Sequence, residues 1–459
     1  LKRISIPGKL QRFDRVFEKA GHSCYLVGGA VRSILLGERP TDYDFATDAP
    51  PSQMFSIFKR VIPTGVKHGT VTVIFEGEQF EVTTFRVEGK YSDSRRPDEV
   101  AFTPSIEEDL SRRDFTINAV AADLKDGSLI DPHGGRRDLK KKLIRAIGTP
   151  YERFTEDGLR LLRACRFAAK LEFEVEPQTL QAMRQAASTL DSVSAERISE
   201  ELDKTMEAAR PSTAFFLMEQ SELLERFLPE LARCRGVEQG GVHRYDVLDH
   251  SLYACDGGPH NDPDIRYAAL LHDVGKAVTW ERSPEGDITF YGHERESERM
   301  GRDILRRLRF SKAREKRICH LIRHHMFHYT PEWSDSAVRR FIARVGSEYL
   351  EDLFDLRQAD SYGILGHHSL PEGEFRERIR KVLEEDNAFT VRDLAVNGND
   401  LMQEADIPKG PMLGTVLEHL LETVIDDPRQ NTKEKLLPIA RSFYQNYLAQ
   451  HGKSAKHES

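Results

Sequence analysis

Two carboxylates two residues apart, Asp42 and Asp44, follow the run Tyr25-Leu26-Val27-Gly28-Gly29-Ala30-Val31-Arg32. Alternate residues of a strand point to one face, so such a pair is predicted to share a divalent cation. Upstream, an apolar strand leads through two glycines into a helix. Consecutive glycines let a ligand approach the backbone, and the first turn of the helix presents N–H groups to an anion. A triphosphate carrying magnesium requires both halves, so the pattern points to nucleotidyl transfer, in which metal activates a hydroxyl and steadies the departing pyrophosphate. A third carboxylate on a neighbouring strand usually completes such a site. Glu81, inside the β-rich run Phe80–Phe85, is the residue for that place, and an exposed strand glutamate is the plain alternative.

A second cluster is the run Asp109 to Ala119, containing Arg112, Arg113, Asp114 and Asn118. Guanidinium forks match phosphate oxygens, and a carboxylate accepts from a ribose hydroxyl. A helix cap with structural ion pairs explains the same residues. The third cluster is Glu156-Asp157-Gly158-Leu159-Arg160. Read as a helix start, it puts Asp157 and Arg160 one turn apart on one face. One acceptor beside one donor complements cytosine and adenine, which present an amino donor next to a ring nitrogen. Uracil and guanine present the reverse order and would leave polar groups unpaired, at about 1–3 kcal/mol each. Glu156 would orient Arg160, with Arg163 and Arg166 continuing the basic face toward phosphates. Taken alone, the pair is also an ordinary surface ion pair.

Further along, Tyr267-Ala-Ala-Leu-Leu-His272-Asp273-Val-Gly-Lys276 delivers an adjacent His and Asp from an apolar helix. With His250 and Asp360 they make an N/O ligand set suited to magnesium, manganese, iron, nickel or zinc. His293 and one of His324 or His325, with His324 preferred, are candidates for a second divalent ion.

The elements that must position these residues change character near Pro150. Residues 23–145 alternate short β-rich runs with helical segments, with a hairpin around Glu76-Gly77-Glu78. The polar stretch Val87 to Asp98 has no apolar period and reads as a loop. The turn Asp131–Asp138 leads into another helix. Beyond Pro150 nearly everything has helical spacing, broken near Pro177, Pro211, Pro263 and Pro371. The expected fold is α+β, an N-terminal head of mixed sheet and helices followed by an all-α neck, body and tail. The expected bounds are 1–148, 149–230, 231–385 and 386–459.

The 459 residues carry 39% hydrophobic and 31% charged side chains, and the net charge is −8. That charge disfavours wholesale nucleic-acid attraction, yet basic stripes recur at Arg136–Lys142, Arg160–Arg166 and Arg295–Arg317. Each stripe is either a phosphate contact or a solvated helix face. No apolar run long enough to span a bilayer and no leader pattern is found. Five scattered cysteines without Cys-x-x-Cys spacing suggest reduced thiols and a cytoplasmic setting.

Together, Gly-Gly-Ala-Val-Arg…Asp-x-Asp, Arg-Arg-Asp-Phe-Thr-Ile-Asn-Ala and Glu-Asp-x-x-Arg, in this order, resemble the bacterial class II tRNA nucleotidyltransferase (CCA-adding) and poly(A) polymerase family, from Leu26 to about Leu437. The resemblance implies that Asp42 and Asp44 bind catalytic magnesium, that Gly28, Gly29, Arg32, Arg113 and Asp114 contact the nucleotide, and that Asp157 and Arg160 act as an amino-acid template for C and then A. It implies CTP, ATP and the 3′ end of tRNA as partners, with neither DNA nor membrane. The segment Val87–Asp98 corresponds to the family's flexible loop. One departure is Ser33, where the family usually has Asp. The His272-Asp273 segment is similar to HD-type phosphohydrolase domains, implying hydrolysis of phosphomonoesters or cyclic phosphates. The alternatives to CCA addition are an A-adding enzyme, a poly(A) polymerase, or an HD phosphohydrolase with an RNA-binding head.

Overall fold

The computed structural model of the chain describes residues 2–88, 100–240, 244–284, 286–368, 373–385 and 388–451. Its N-terminal part runs α1 (Gly8–Lys19), β1 (Cys24–Val27), α2 (Gly29–Leu36), β2 (Asp44–Thr47), α3 (Pro51–Ile57), β3 (Val61–Gly65), β4 (Thr70–Phe75) and β5 (Glu78–Thr84). Short strands β6 (Arg86–Glu88) and β7 (Val100–Phe102), helix α4 (Ile106–Ser111), strands β8 (Ala121–Asp123) and β9 (Leu129–Ile130), and helix α5 (Gly135–Lys141) complete it. Seven strands form one mixed sheet in the order β3-β4-β5-β2-β1-β8-β9.

The alternation of Thr and Val in β4 buries Val71 and Val73, and its hairpin partner β5 buries Phe80 and Val82. Helix α1 closes that face with Phe13 and Phe17. Phe13 lies 4.9 Å from Phe45 and 5.0 Å from Phe80, ring centre to ring centre. With this face filled by phenylalanine, the strand ends carry the polar chemistry. The expected loop from Val87 to Asp98 begins inside β6, and its residues 89–98 lie outside the described residues.

Beyond residue 149 come α6 (Pro150–Glu156), α7 (Leu159–Leu171), α8 (Pro177–Gln185), α9 (Ala195–Met206) and α10 (Pro211–Gln220). Pro177, Pro211 and Pro263 each open a helix, where the missing N–H costs nothing. Pro371 lies outside the described residues. Of the thirteen residues of α7, ten are buried, so it is an axis of the helical part. One hydrophobic core runs without interruption from Phe115 to Val382, and the last helices enclose a separate core from Ala388 to Ala440. Arg339 Nε donates to the Ile425 carbonyl at 2.6 Å, tying that last core to the body.

One crossing decides the second ligand cluster. Helix Val247–Gly257 packs on helix Leu350–Leu365, and a Cβ on Gly363 would come within 2.8 Å of the His250 carbonyl oxygen. Only a glycine permits that approach, and it brings His250 against Asp360. All five cysteines are buried and unpaired. Among the described residues, no helix is long and apolar enough to cross a membrane.

Candidate active site

Strand β2 pairs antiparallel with β1 and parallel with β5, in a register that puts Asp44 opposite Val27 on one side and Glu81 on the other. The two carboxylates therefore sit side by side on adjacent inner strands, and with Asp42 they make a carboxylate edge at the end of the sheet where β2 begins. Gly28 caps α2 with φ of 68°, and a Cβ there would meet Arg113 Nη1 at 3.3 Å and Asp44 Oδ2 at 3.7 Å. The positive φ and the close approach both call for glycine. The Asp44 carboxyl is raised by partial desolvation in the cleft, opposed by Arg113 and pushed further up by Asp42. Desolvation, then Asp44, raises Glu81 likewise.

The expected strand alternation does not hold for the first aspartate. β2 begins at Asp44, and Asp42 lies before it in a bend, with Thr41 Oγ1 donating to its Oδ2 at 3.1 Å. The bend, not a shared strand face, carries Asp42 to the cleft. Among the described residues, the groups of ligand atoms within 4.8 Å of one another lie in the helical body and not here.

Arginines surround this edge. The buried Asp109 carboxylate pairs with Arg112 at 3.0 Å and Arg113 at 3.3 Å, which fixes both forks. These two follow α4, whose cap is Ser105, so they do not start a helix. Asp114 accepts from the Phe115 N–H at 2.7 Å, Asn118 Nδ2 at 3.0 Å, and Arg163 through Nε at 2.8 Å and Nη2 at 2.6 Å. Burial pushes the Asp114 carboxyl up, but the Arg163 charge and these donors outweigh it and hold it at about 2. Four donors fill its four lone-pair directions. Arg32 donates to Asn118 Oδ1. Three guanidinium groups, of Arg32, Arg163 and Arg166, lie 5.0, 5.3 and 4.1 Å from the ring centre of Phe167. Burial first, then Arg166, lowers Arg32 from its usual value. Arg163 is paired with Asp114 and Arg166 with Glu201, which hold the two forks in place, and the three guanidinium groups together make the cleft wall suited to a polyanion.

Asp157 and Arg160, the pair expected to read the base, are arranged differently from the expected helix face. α7 begins at Leu159, and Asp157 sits in extended backbone (φ −149°, ψ 107°) between α6 and α7. Its Oδ1 accepts the Leu159 N–H at 3.1 Å and its Oδ2 accepts Arg197 Nη2 at 2.7 Å. Arg160 is nearly buried. Its Nη1 donates to Glu156 Oε2 at 2.6 Å and to the Arg153 carbonyl at 3.0 Å, and its Nη2 to the Arg112 carbonyl at 3.2 Å. Glu156 thus orients Arg160, and Arg112 ties the pair to the strand-bearing part.

All of these groups line one open cleft of about 730 Å³ between the sheet edge and α7: Gly28, Gly29, Arg32, Asp42, Asp44, Glu81, Arg113, Asp114, Asn118, Asp157, Arg160, Arg163 and Arg166. Sequence reasoning missed Arg86, Phe167, Arg197 and Lys204, which line it too. Arg197 and Lys204 lie on α9 in a run with no motif to mark it, and Phe167 looks like one more core aromatic. Ser33 is not among the lining residues.

A second constellation lies in the helical body. His250 Nε2 is 3.2 Å from His272 Nε2 and 3.2 Å from Asp360 Oδ1, and His272 Nε2 is 3.2 Å from Asp273 Oδ2. On the other side, Asp273 Oδ1 faces His293 Nε2 at 3.4 Å and His325 Nε2 at 3.7 Å. His272, His293 and His325 bond through Nδ1 to the carbonyls of Ala269, Phe290 and Ile322, which leaves each Nε2 to face its neighbours. Asp273 Oδ1 is buried without a hydrogen bond. Lone pairs of nitrogen and oxygen turned on one another inside a protein fit a metal cation between them. Asp273 lies between two such groups, His250/His272 and His293/His325. The preference for His324 is corrected here. His324 lines a different cavity beside His320, because successive residues of a helix diverge by about 100° and only His325 turns inward.

Most arginines of the basic run Arg295–Arg317 pair with acidic neighbours. Arg299 pairs with Glu296, Arg306 with Glu315, Arg307 with Glu230, Arg314 with Asp203 and Asp264, and Arg317 with Asp262 and Asp352. The stripe on α5 instead lines a cavity of about 740 Å³ with Arg136, Arg137 and Lys140 over Leu35, Leu36 and Leu139.

Residues 24–145 match the family profile "Poly A polymerase head domain", residues 172–234 "Probable RNA and SrmB- binding site of polymerase A", and residues 293–440 "tRNA nucleotidyltransferase domain 2". The CCA-adding enzyme of Anoxybacillus flavithermus is 33% identical over 420 residues, 91% of this chain and 93% of that protein. That of Streptococcus suis is 30% identical over 452 residues, 97% of this chain and all of that protein. The crystal structure of the Bacillus stearothermophilus CCA-adding enzyme in complex with CTP superposes with a TM-score of 0.73 at 27% identity, covering 96% of this chain and 98% of that one. Full-length similarity on this scale, together with a cleft that gathers all three motif clusters, establishes that the chain belongs to the family of CCA-adding enzymes.

Proposed function

We propose that the protein is a template-independent tRNA nucleotidyltransferase that completes 3′ CCA ends from CTP and ATP. The observation that carries this reading is the single cleft in which the Asp44/Glu81 edge, the arginine ring around Phe167 and the Asp157/Arg160 pair face one another. The donor set at the edge is all carboxylate, which suits a hard divalent ion, magnesium first, held by Asp44 with Asp42 and Glu81. When bound there, such an ion supplies Lewis acidity to the attacking hydroxyl and to the pyrophosphate.

The chain's own side chains do the remainder. Arg32, Arg163 and Arg166 take the triphosphate charge, with Arg163 aimed by Asp114. Arg113, aimed by Asp109 beside Gly28, reaches the phosphate nearest the carboxylates. Asp157 accepts from the amino group of cytosine or adenine while Arg160 donates to the ring nitrogen. Opposed to uracil or guanine, the same pair sets acceptor against carbonyl and donor against N–H. The α5 stripe, whose Arg136, Arg137 and Lys140 line a cavity of about 740 Å³, is the basic surface offered to the tRNA backbone. The unpaired cysteines favour a cytoplasmic setting.

The test supplies the purified protein with tRNA lacking its three terminal residues, and CTP, ATP or both. Stepwise CC and then CCA addition, abolished in Asp44→Ala, is the expected result. Extension by ATP alone on tRNA ending in CC, with no CTP incorporation, would instead identify an A-adding enzyme.

One observation favours a second activity in the body, the unbonded Asp273 oxygen between convergent imidazoles. His250, His272, Asp273 and Asp360 would hold one divalent ion and Asp273, His293 and His325 another, in the manner of an HD-type phosphohydrolase. Bound there, such ions supply a water-derived nucleophile for phosphoester hydrolysis. Lys276 and Arg357 line the same cavity, each held by a carboxylate of the cluster, Lys276 by Asp273 at 2.7 Å and Arg357 by Asp360 at 3.3 Å. Stoichiometric metal in the purified protein together with phosphomonoesterase activity is the expected result. Metal-free protein after dialysis against zinc, manganese or nickel would sink it.

A further inference from the structure

Arg160 is held from several sides, but Asp157 is not carried by a helix at all. Two features fix its backbone and side chain. A Cβ on the neighbouring Gly158 would come 2.4 Å from the Thr189 carbonyl oxygen, so the segment lies flush against residues 187–192. The side chain is then anchored at one oxygen by the Leu159 N–H and at the other by Arg197, which arrives from the first turn of α9 across the cleft. The Arg197 side chain remains 31% exposed and lines the same cleft as Asp157, Leu159 and Arg160.

We infer that Arg197 is a positioning residue for base selection: it fixes the plane in which Asp157 offers its carboxylate to the incoming base. The inference rests on the reading of Asp157 and Arg160 as the base-reading pair. The torsion about the Cβ–Cγ bond of an aspartate is broad and two-fold, so one backbone contact leaves the carboxylate plane poorly set. A guanidinium nitrogen at 2.7 Å on the second oxygen sets it. Only a carboxylate near the plane of the base can accept from the amino group while Arg160 reaches the ring nitrogen, because both base groups lie in one plane. A carboxylate free to turn would accept from water instead and meet the carbonyl of uracil or guanine with less penalty. Discrimination, more than binding of triphosphate, is therefore what Arg197 supplies. It also makes base choice depend on how α9 packs against α7.

The experiment compares full-length wild type, Arg197→Gln, Arg197→Lys and Asp157→Ala. The readouts are kcat/KM ratios for CTP over UTP on tRNA lacking CCA and for ATP over GTP on tRNA ending in CC. Arg197→Gln is expected to lower both ratios about tenfold or more, mainly through a higher KM for the correct nucleotide, with the KM for tRNA unchanged. Arg197→Lys, which keeps a donor at the same place, is expected to recover part of the loss. Equal slowing with all four nucleotides in both Arg197 variants, while Asp157→Ala loses selectivity, overturns the role of Arg197 and leaves the base-reading pair standing. Retained selectivity in Asp157→Ala overturns that pair itself, and the Arg197 role with it. Should Arg197→Gln melt below the assay temperature, Arg197→Met decides, since an unchanged ratio with no donor left on the second Asp157 oxygen refutes the inference.

Discussion

The cleft and the body cluster both gather acidic side chains, yet they solve opposite problems. In the body, four imidazoles and two carboxylates approach within 3.2–3.7 Å of one another, buried, with backbone carbonyls fixing the ring orientations. In the cleft, Asp42, Asp44 and Glu81 are spread along an open edge and faced by arginines. In the first arrangement Lys276 meets only one Asp273 oxygen, at 2.7 Å, and leaves the other without a hydrogen bond among imidazoles, so it should retain metal by itself. The second is organised for an anion, and a carboxylate edge that loose gains its metal together with the triphosphate. Two carboxylate motifs in one chain thus differ less in composition than in what completes them.

The largest effect that would sharpen this contrast is at Asp44. Asp44→Ala is expected to lower nucleotide incorporation at least about 100-fold while metal retained after gel filtration, measured by plasma mass spectrometry, stays at the wild-type level. Reversing the comparison, Asp273→Ala is expected to lose that retained metal and to lower the melting temperature, leaving CTP incorporation within about twofold of wild type. Loss of transferase activity there would show that the two regions are not independent. A finer cut comes from neighbours: His325→Ala should halve the retained metal and His324→Ala should leave it unchanged, the reverse result restoring the sequence-based choice.

A smaller effect concerns the Asp114–Arg163 link. The Asp114 carboxyl lies at about 2 in the folded protein, below its ordinary value of 3.8. A depressed pKa contributes stability above the unfolded value and loses it as pH falls through the folded one. The stability difference between wild type and Asp114→Asn should therefore be constant above about pH 5 and shrink between about pH 4 and 2, as followed by urea unfolding. The smallest effect is expected at the paired basic run. Arg299→Ala should change the KM for tRNA less than about twofold, since Glu296 already neutralises it. Arg137→Ala with Lys140→Ala on α5 should raise that KM and flatten its salt dependence.

The parts legible from sequence share a trait: each lies in a short run of chain. The Gly28-Gly29 turn, the hairpin at Glu76-Gly77 and the His272-Asp273 pair depend on local backbone rules, and the structure keeps them. Where the reasoning needed one more element it slipped. Spacing places Asp42 on a strand and Asp157 on a helix, but the strand begins two residues later and the helix begins at Leu159. In both places the residue reaches the cleft from irregular backbone beside the element, Asp42 from a bend before β2 and Asp157 from an extended link between α6 and α7.

Sequence by itself determined the chemical inventory: which carboxylates, forks and imidazoles exist, in what order, and that a mixed α+β head precedes a helical remainder. Tertiary structure alone decided which of two adjacent histidines turns inward, that the Arg295–Arg317 charges are already spent on acidic neighbours, and that Arg197 meets Asp157 from forty positions away. The reason is physical. Backbone preferences act over a few residues, whereas helix crossings, such as the one Gly363 admits, set contacts between side chains that no spacing rule relates.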